Sequence, residues 1–554
     1  MLQPLRSAIA SRTWRGDVVI LLFFAGLTAL VTYPQVRWIG TRVPYSSDPY
    51  FSIWRLAWVG HAIVTNPGEL FHANIFYPAP STLGYSDAML LPGIVTAPFF
   101  WAEINPILIY NVAFLSAFAL SGWTMFRLAL SLTASLPASI VAGIIFAFTP
   151  YRFCHYMHFE LQLVFWVPVA LVLVHRLIEQ ARIRDGVLLG LTMAAQVFSS
   201  IYMGLFTILY LAGVTPVLLV VNRIRRFWRL AAATAAGALL AAALVAPYAR
   251  EYRKAELVVG LRPLAAVEVY SVKTRHYLSA PAMNRLYGWT DRSDMYSYSE
   301  MNLFPGVLAC VLAALGVLFG SGRARFAYLA GMAVAIEMSR GAFSPIYLWL
   351  FQHFAAFQAL RSPARFVILV SLSLAALSAY GVAFLLTKIE SGKWKRMASV
   401  AIAATLIVEY ASSPVIEPAP GPTRVDSFLS KQPPSIIVEL PLFSFKGFWD
   451  SLDSIYMAQG IGHLQKMING YSGYAPASFY QTRDALRGFP DAASLETLRK
   501  LRVDFIVVRA GIFDRDYGKT LLEQLEKSPD YVVVASWPDG PQGAEAIYRI
   551  KNSR

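Results

Sequence analysis

The sequence predicts an α-helical polytopic membrane protein with a small α/β domain at its C-terminal end. Three observations predict it. Of 554 residues, 56% are hydrophobic and only 15% charged, where a soluble globular protein carries about 25% charge. Mean hydropathy is +0.49, and apolar runs of about 20 residues, the length that crosses a bilayer, recur through the first three quarters. After Pro414 the composition changes to short β-like runs separated by polar, helix-like stretches.

About eleven spans are expected, near 18–34, 106–126, 137–151, 161–177, 187–203, 204–221, 230–247, 303–319, 326–339, 366–387 and 397–414. The first follows Arg6, Arg12 and Arg15 as a signal peptide would, but no small-x-small cleavage site comes after it, so it reads as an uncleaved span. Basic clusters mark the short inner loops: Arg182 and Arg184; Arg223, Arg225, Arg226 and Arg229; Arg323 and Arg325; Lys388, Lys393, Lys395 and Arg396. The positive-inside rule then puts the N-terminus in the cytoplasm, and an odd number of spans sends the C-terminal segment outside. The net charge of +15 fits basic inner loops and anionic lipid rather than nucleic acid. Cys154 and Cys310 both lie in or beside apolar runs, which implies neither a disulfide framework nor a Cys-based metal site.

The expected organisation is a transmembrane domain over 1–414 with a long first outer loop, 35–105, then a Pro-rich linker, 415–425, and a soluble α/β domain, 426–554. Within the first loop, Met89 to Trp101 is too short to span and is broken by Pro92 and Pro98, so it reads as interfacial or re-entrant. In the last domain Ile436–Leu440, Phe505–Val508 and Tyr531–Val534 read as strands, and Ser494–Leu501 and Tyr517–Lys527 as helices.

The candidate chemistry begins with Asp48, in Tyr45-Ser46-Ser47-Asp48-Pro49-Tyr50. Asp before Pro reads as a helix N-cap, with the helix continuing over Tyr50 to Val64. A carboxylate in an outer loop can also take the proton of an attacking hydroxyl. Asp87, near the end of the same loop, caps the Met89–Trp101 stretch or holds a metal or acceptor beside Asp48. In the turn His155-Tyr156-Met157-His158-Phe159-Glu160, His158 and Glu160 are the candidate ligands for a divalent cation, Mg or Mn. Hydrogen bonding to lipid headgroups is the plainer reading, because Glu160 falls off the helical line of His155 and His158.

Arg361-Ser362-Pro363-Ala364-Arg365 places two arginines around a helix start at Ser362-Pro363. A helix N-terminus flanked by guanidinium forks suits a phosphate or diphosphate, whether a substrate's or a headgroup's. Lys273 and Arg275 could assist the same phosphate, or form a solvated basic face. The aromatic turn Asn469-Gly470-Tyr471-Ser472-Gly473-Tyr474 offers rings on which a sugar could stack. A Walker A loop, Gly-x-Ser-x-Gly and Cys/His zinc spacing are all absent from the sequence.

Over roughly Met1 to Pro414 this pattern resembles the GT-C superfamily of membrane glycosyltransferases. It has a first span, a long first outer loop with an acidic residue soon after the span, a short second outer loop, and an outer C-terminal domain. The resemblance implies a bacterial inner-membrane enzyme that transfers a sugar, with inversion, from a polyprenyl-phosphate donor to a glycan, lipid or protein acceptor on the outer face. It implies that Asp48 is catalytic and that Glu160 stands where members carry acids in the second loop. With that donor, Asp87 is the second catalytic candidate, and Arg361, Arg365, Lys273 and Arg275 are the residues expected to meet its phosphate. A paired Asp-Asp or Asp-x-Asp occurs in neither loop. The alternative is a non-catalytic membrane protein, a glycolipid flippase or an assembly scaffold. A transporter is expected to bury charge at mid-membrane, whereas Glu337 and Glu409 fall close to outer span ends.

Overall fold

The computed structural model describes residues 14–551 apart from 223, 225, 293–297, 443–444, 448–449, 514 and 541–542. Arg6, Arg12, Arg223 and Arg225 therefore lie outside the described residues. The chain divides into two compact units: residues 1–39, 111–247 and 261–416 form one, and 40–110, 248–260 and 417–554 the other. This differs from a division at residue 414, because the first loop and the C-terminal segment fall in one unit.

The first unit is helical. Among the described residues of the whole chain, seven helices are long and apolar enough to cross a membrane: Trp14–Val31, Pro106–Thr133, Leu136–Cys154, Phe159–Gln180, Ile201–Asn222, Phe227–Val259 and Pro363–Thr387. The four other expected spans are also helical, but Ile183–Ser199, Val307–Phe319 and Arg325–Ser339 are only 17, 13 and 15 residues long. The fourth, Gly392–Tyr410, is 19 residues long and opens on Lys393, Lys395 and Arg396, which dilute its apolar character.

Pro363–Thr387 is the centre of this unit, with 94% of its most apolar window buried. Glycine sets how closely its neighbour approaches. A Cβ on Gly381 would collide with the Leu312 carbonyl, and one on Gly316 with the Leu377 carbonyl. The Val307–Phe319 helix is therefore packed backbone against backbone. Its N-terminus is capped from another helix: Glu409 accepts from the Val307 and Leu308 N–H groups at 2.5 and 3.2 Å. This carboxylate meets the positive end of a helix dipole.

The second unit holds a five-stranded sheet. Its strands are β1 (Ile436–Leu440), β2 (Lys466–Met467), β3 (Phe505–Arg509), β4 (Tyr531–Gly540) and β5 (Gly543–Ile550), in the order β2-β1-β3-β5-β4. β1 runs parallel to both β2 and β3, while β5 is antiparallel to β3 and β4. The helices packed with it include α1 (Ser47–Thr65), α2 (Leu90–Trp101), α3 (Leu452–Gln459), α4 (Ala477–Ala485), α5 (Ala492–Lys500) and α6 (Arg515–Lys527).

Strand side chains alternate between faces. One face buries Ile437, Phe505, Val507 and Ile547 against Leu452 and Tyr456 of α3. On the same face Glu439, Arg509 and Glu545 form a buried ion triad. The Arg509 guanidinium lies 2.6 Å from Glu439 and 2.8 Å from Glu545, and all three side chains are fully buried.

The edge of β2 is covered by the first loop. Met467 N–H donates to the Asn74 carbonyl at 2.7 Å, Tyr77 N–H to Met467 at 2.9 Å, and Phe76 N–H to Asn469 at 3.0 Å. An exposed strand edge is an aggregation hazard, and here a segment almost 400 positions earlier in the sequence satisfies it. The expected linker is also engaged: Ala419 N–H donates to the Thr41 carbonyl at 2.9 Å, and the Tyr50 hydroxyl donates to Glu417 at 2.6 Å.

Candidate functional site

Asp48 is the second residue of α1, not its cap. The N-cap is Ser46, whose Oγ accepts from the Asp48 N–H at 3.2 Å. The sequence Ser46-Ser47-Asp48-Pro49 offers more than one capping residue, and Pro49, which has no N–H to satisfy, falls in the first turn with either Ser46 or Asp48 as the cap. With Ser46 in that role, the Asp48 side chain is released for other contacts, beside the positive end of the helix dipole.

Its partner is remote in sequence. The Tyr471 hydroxyl donates to Asp48 Oδ1 at 3.0 Å. The Tyr471 ring stands edge-on to Phe51, one turn further along α1, with centroids 5.6 Å apart. The N-terminus of α1 is also tied to the sheet segment by the Ser451 N–H, which donates to Ser47 Oγ at 2.5 Å.

Arg55 continues the same side of the helix. Its guanidinium lies 4.2 Å from the Phe51 centroid, donates to the Asp87 carbonyl at 2.6 Å and to Ser52 Oγ at 2.8 Å, and is buried. The Asp87 main chain thus meets Arg55, and the N-cap position of α2 is held by Met89, which makes no side-chain cap bond. The turn is fixed further by Tyr252, which donates to the Ser86 carbonyl at 2.9 Å and accepts from the Ala88 N–H at 2.8 Å. One helix face therefore carries an acid, an aromatic ring and a buried cation in succession, with a tyrosine hydroxyl already on the acid. Such a group can accept a hydrogen bond from a hydroxyl and take its proton.

The other predicted residues belong to the helical unit. Arg365 makes a buried ion pair with Glu300, with Nη2 and Nε at 2.8 and 2.9 Å from Oε1. Tyr151 donates to the second Glu300 oxygen at 3.1 Å, and His155 Nε2 stands 3.5 Å from it. Burial alone would raise the Glu300 pKa, but Arg365 and then the two neighbouring imidazoles bring it down to about 2. Burial pushes His155 down to about 3, so its contact with Glu300 is between a neutral ring and a carboxylate. The Arg365 charge is thus compensated inside the protein.

Arg361 differs. It is half-buried, its guanidinium lies 5.1 Å from the Tyr270 ring centroid, and its main-chain N–H donates to the Tyr202 hydroxyl at 2.7 Å. Ser362 precedes the turn Pro363–Phe366, which leads directly into the long central helix, as the Ser-Pro pair predicts. Lys273 is exposed over Phe343 at 5.2 Å, and Arg275 is exposed beside His276 at 3.4 Å.

His158 faces His155, with Nδ1 atoms 3.2 Å apart, and Glu160 lies in the first turn of a short helix, Phe159–Gln162. Among the described residues, no group of three or more His, Cys, Asp or Glu side chains could hold a metal ion. The pair His158 and Glu160 therefore gathers no third ligand there.

Sequence reasoning passed over Glu300, Arg55 and Tyr252. Arg55 had a signal, being the one charge in the apolar run Tyr50 to Val64. Glu300 and Tyr252 had none, because their partners are distant in sequence. No protein-family model and no curated protein matches this chain.

Proposed function

We propose that this chain is a membrane glycosyltransferase that moves a sugar from a polyprenyl-phosphate donor to an extracytoplasmic glycan, lipid or protein acceptor. In this reading it is a multi-pass protein of a bacterial inner membrane, with a cytoplasmic N-terminus. Asp48 is the general base: it takes the proton of the acceptor hydroxyl as that oxygen attacks the anomeric carbon, and the lipid phosphate leaves with the bonding electrons. The observation that carries the reading is the half-buried Asp48 carboxylate, freed from capping by Ser46 and oriented by the Tyr471 hydroxyl. Tyr471 and Phe51 supply apolar ring surface beside it, and Tyr471 fixes the direction of one carboxylate oxygen. Asp87 has a supporting role in this scheme, holding the loop to α1 through its Arg55 contact.

Arg361 is the favoured contact for a lipid phosphate, because Arg365 is already paired with Glu300. Stacking on Tyr270 orients the Arg361 fork.

The test is transfer from a radiolabelled polyprenyl-phosphate sugar by the full chain in proteoliposomes. Asp48→Asn should insert and fold as the parent does and lose transfer. Full activity in that variant would sink the reading and leave a non-catalytic role, such as glycolipid movement or scaffolding, in its place.

A further inference from the structure

A second site emerges from the strand order of the sheet. β1 and β3 are adjacent and parallel. From the carboxyl end of β1 the chain moves to β2 on one side, and from the carboxyl end of β3 it moves past β5 to β4 on the other. Crossovers between parallel strands are right-handed, so α3 and α6 fall on opposite faces and the loops part between the ends of β1 and β3. In open α/β sheets this parting is where ligands bind.

A cavity of about 300 Å³ opens at that place, at the small end of the range for ligand pockets. Pro441 and Leu442, just past β1, form one wall, and Phe513 and Tyr517, past β3, form another. Arg483 and Arg487, from the end of α4 and just beyond, contribute the charge, and among the described residues the lining includes no carboxylate. Leu440 points to this face by strand alternation, and its neighbour Glu439 to the other, where the buried Arg509 triad fixes the strand ends. The cavity therefore rests on rigid elements.

Both arginines contact the same oxygen of Asp484, at 2.9 and 3.1 Å. The Arg487 side chain is 73% exposed and that of Asp484 53%. The Arg487–Asp484 pair, so exposed, is worth little, so Arg487 can exchange the carboxylate for a ligand anion without a large loss, while Arg483, 22% exposed, holds its place at the cavity wall.

We propose that this crevice binds a small organic phosphate, with its anionic group on Arg483 and Arg487 and its apolar part between Leu442 and Phe513. It is separate from Asp48: α3, the side of the sheet to which α1 is tied, lies on the opposite face. The inference does not depend on the glycosyltransferase reading.

The probe is phenyl phosphate, titrated calorimetrically into the full chain in lipid nanodiscs, with inorganic phosphate as the comparison. Phenyl phosphate should bind saturably and more tightly than inorganic phosphate. Arg487→Ala should weaken it about ten-fold, the loss expected for one charge-assisted contact, and Arg487→Glu should weaken it further. Because Arg487 is exposed, both variants should keep the parent's unfolding temperature. No saturable binding, equal binding of inorganic phosphate, or full affinity in Arg487→Glu would each overturn the proposal.

Discussion

The Tyr471 hydroxyl lies 3.0 Å from Asp48 Oδ1, although the two residues are 423 positions apart. A carboxylate at a helix start and a tyrosine from a sheet-following turn are brought into one hydrogen bond. The pair makes the role of Asp48 separable by mutation. Ser46 carries the cap, so Ser46→Ala should cost about 1 kcal/mol of stability and spare most of the transfer activity. Asp48→Asn should do the reverse, keeping stability while lowering kcat by about 10²- to 10⁴-fold, the usual contribution of a general base. Thermal unfolding and radiolabel transfer on the same two preparations check both halves.

Tyr471→Phe keeps the ring against Phe51 and removes only the hydroxyl. The expected result is a fall in kcat smaller than that of Asp48→Asn, because the carboxylate stays while the bond that fixes its direction is gone. Transfer at the parent's rate would show that the hydroxyl does not act on Asp48.

Acid should destabilise the helical unit in two stages. His155 titrates at about 3 when folded and near 6.5 when unfolded, so the unfolded state binds more protons between those values and stability falls as pH drops below 6.5. Glu300 is depressed to about 2 from 4.5. Its contribution is complete above 4.5 and is lost as pH falls toward 2. Unfolding temperatures measured from pH 7.5 to 4 should decline from about 6.5, and His155→Gln should remove the decline above 4.5.

In the sheet, Arg509→Met leaves two buried carboxylates without their guanidinium. It should destabilise by about 3–5 kcal/mol, whereas exchanging all three members of the triad for apolar residues of similar volume should recover most of the loss. Chemical unfolding of the single and triple variants distinguishes the two outcomes.

Gly316→Leu forces a side chain into the Leu377 backbone. A loss of at least about 1–3 kcal/mol is expected from overpacking, seen as a lower unfolding temperature in detergent.

The sequence made the local features plain. Apolar runs marked the long helices, Ser362-Pro363 marked the start of the central one, and the limits of β1 could be read from Ile436 to Leu440. Hydrophobic period and capping chemistry are local signals, so they survive in one dimension. Asp48 shows their limit: Ser46 and Asp48 are both good caps, and only the three-dimensional course of the chain chose the first. The strands β2 and β5 and the helices α3 and α4 were missed because they are short or irregular in pattern. The Arg365–Glu300 and Asp48–Tyr471 contacts were illegible for a different reason. Each depends on where two distant segments cross, which no spacing rule encodes.

The cover that Asn74 to Tyr77 lays over the edge of β2 has a consequence for synthesis. The covering segment leaves the ribosome long before the strand it protects exists. The unit that contains Asp48 cannot close until the segment around Tyr471 has been made. A chain cut short before residue 466 would possess its acid but never the hydroxyl that orients it, and on the proposed reading it would not transfer sugar. Conversely, residues 426–554 made alone would start with a bare strand edge and should associate edge to edge. Under the proposed reading, transfer thereby requires both the first loop and the segment through Tyr471 to have been made.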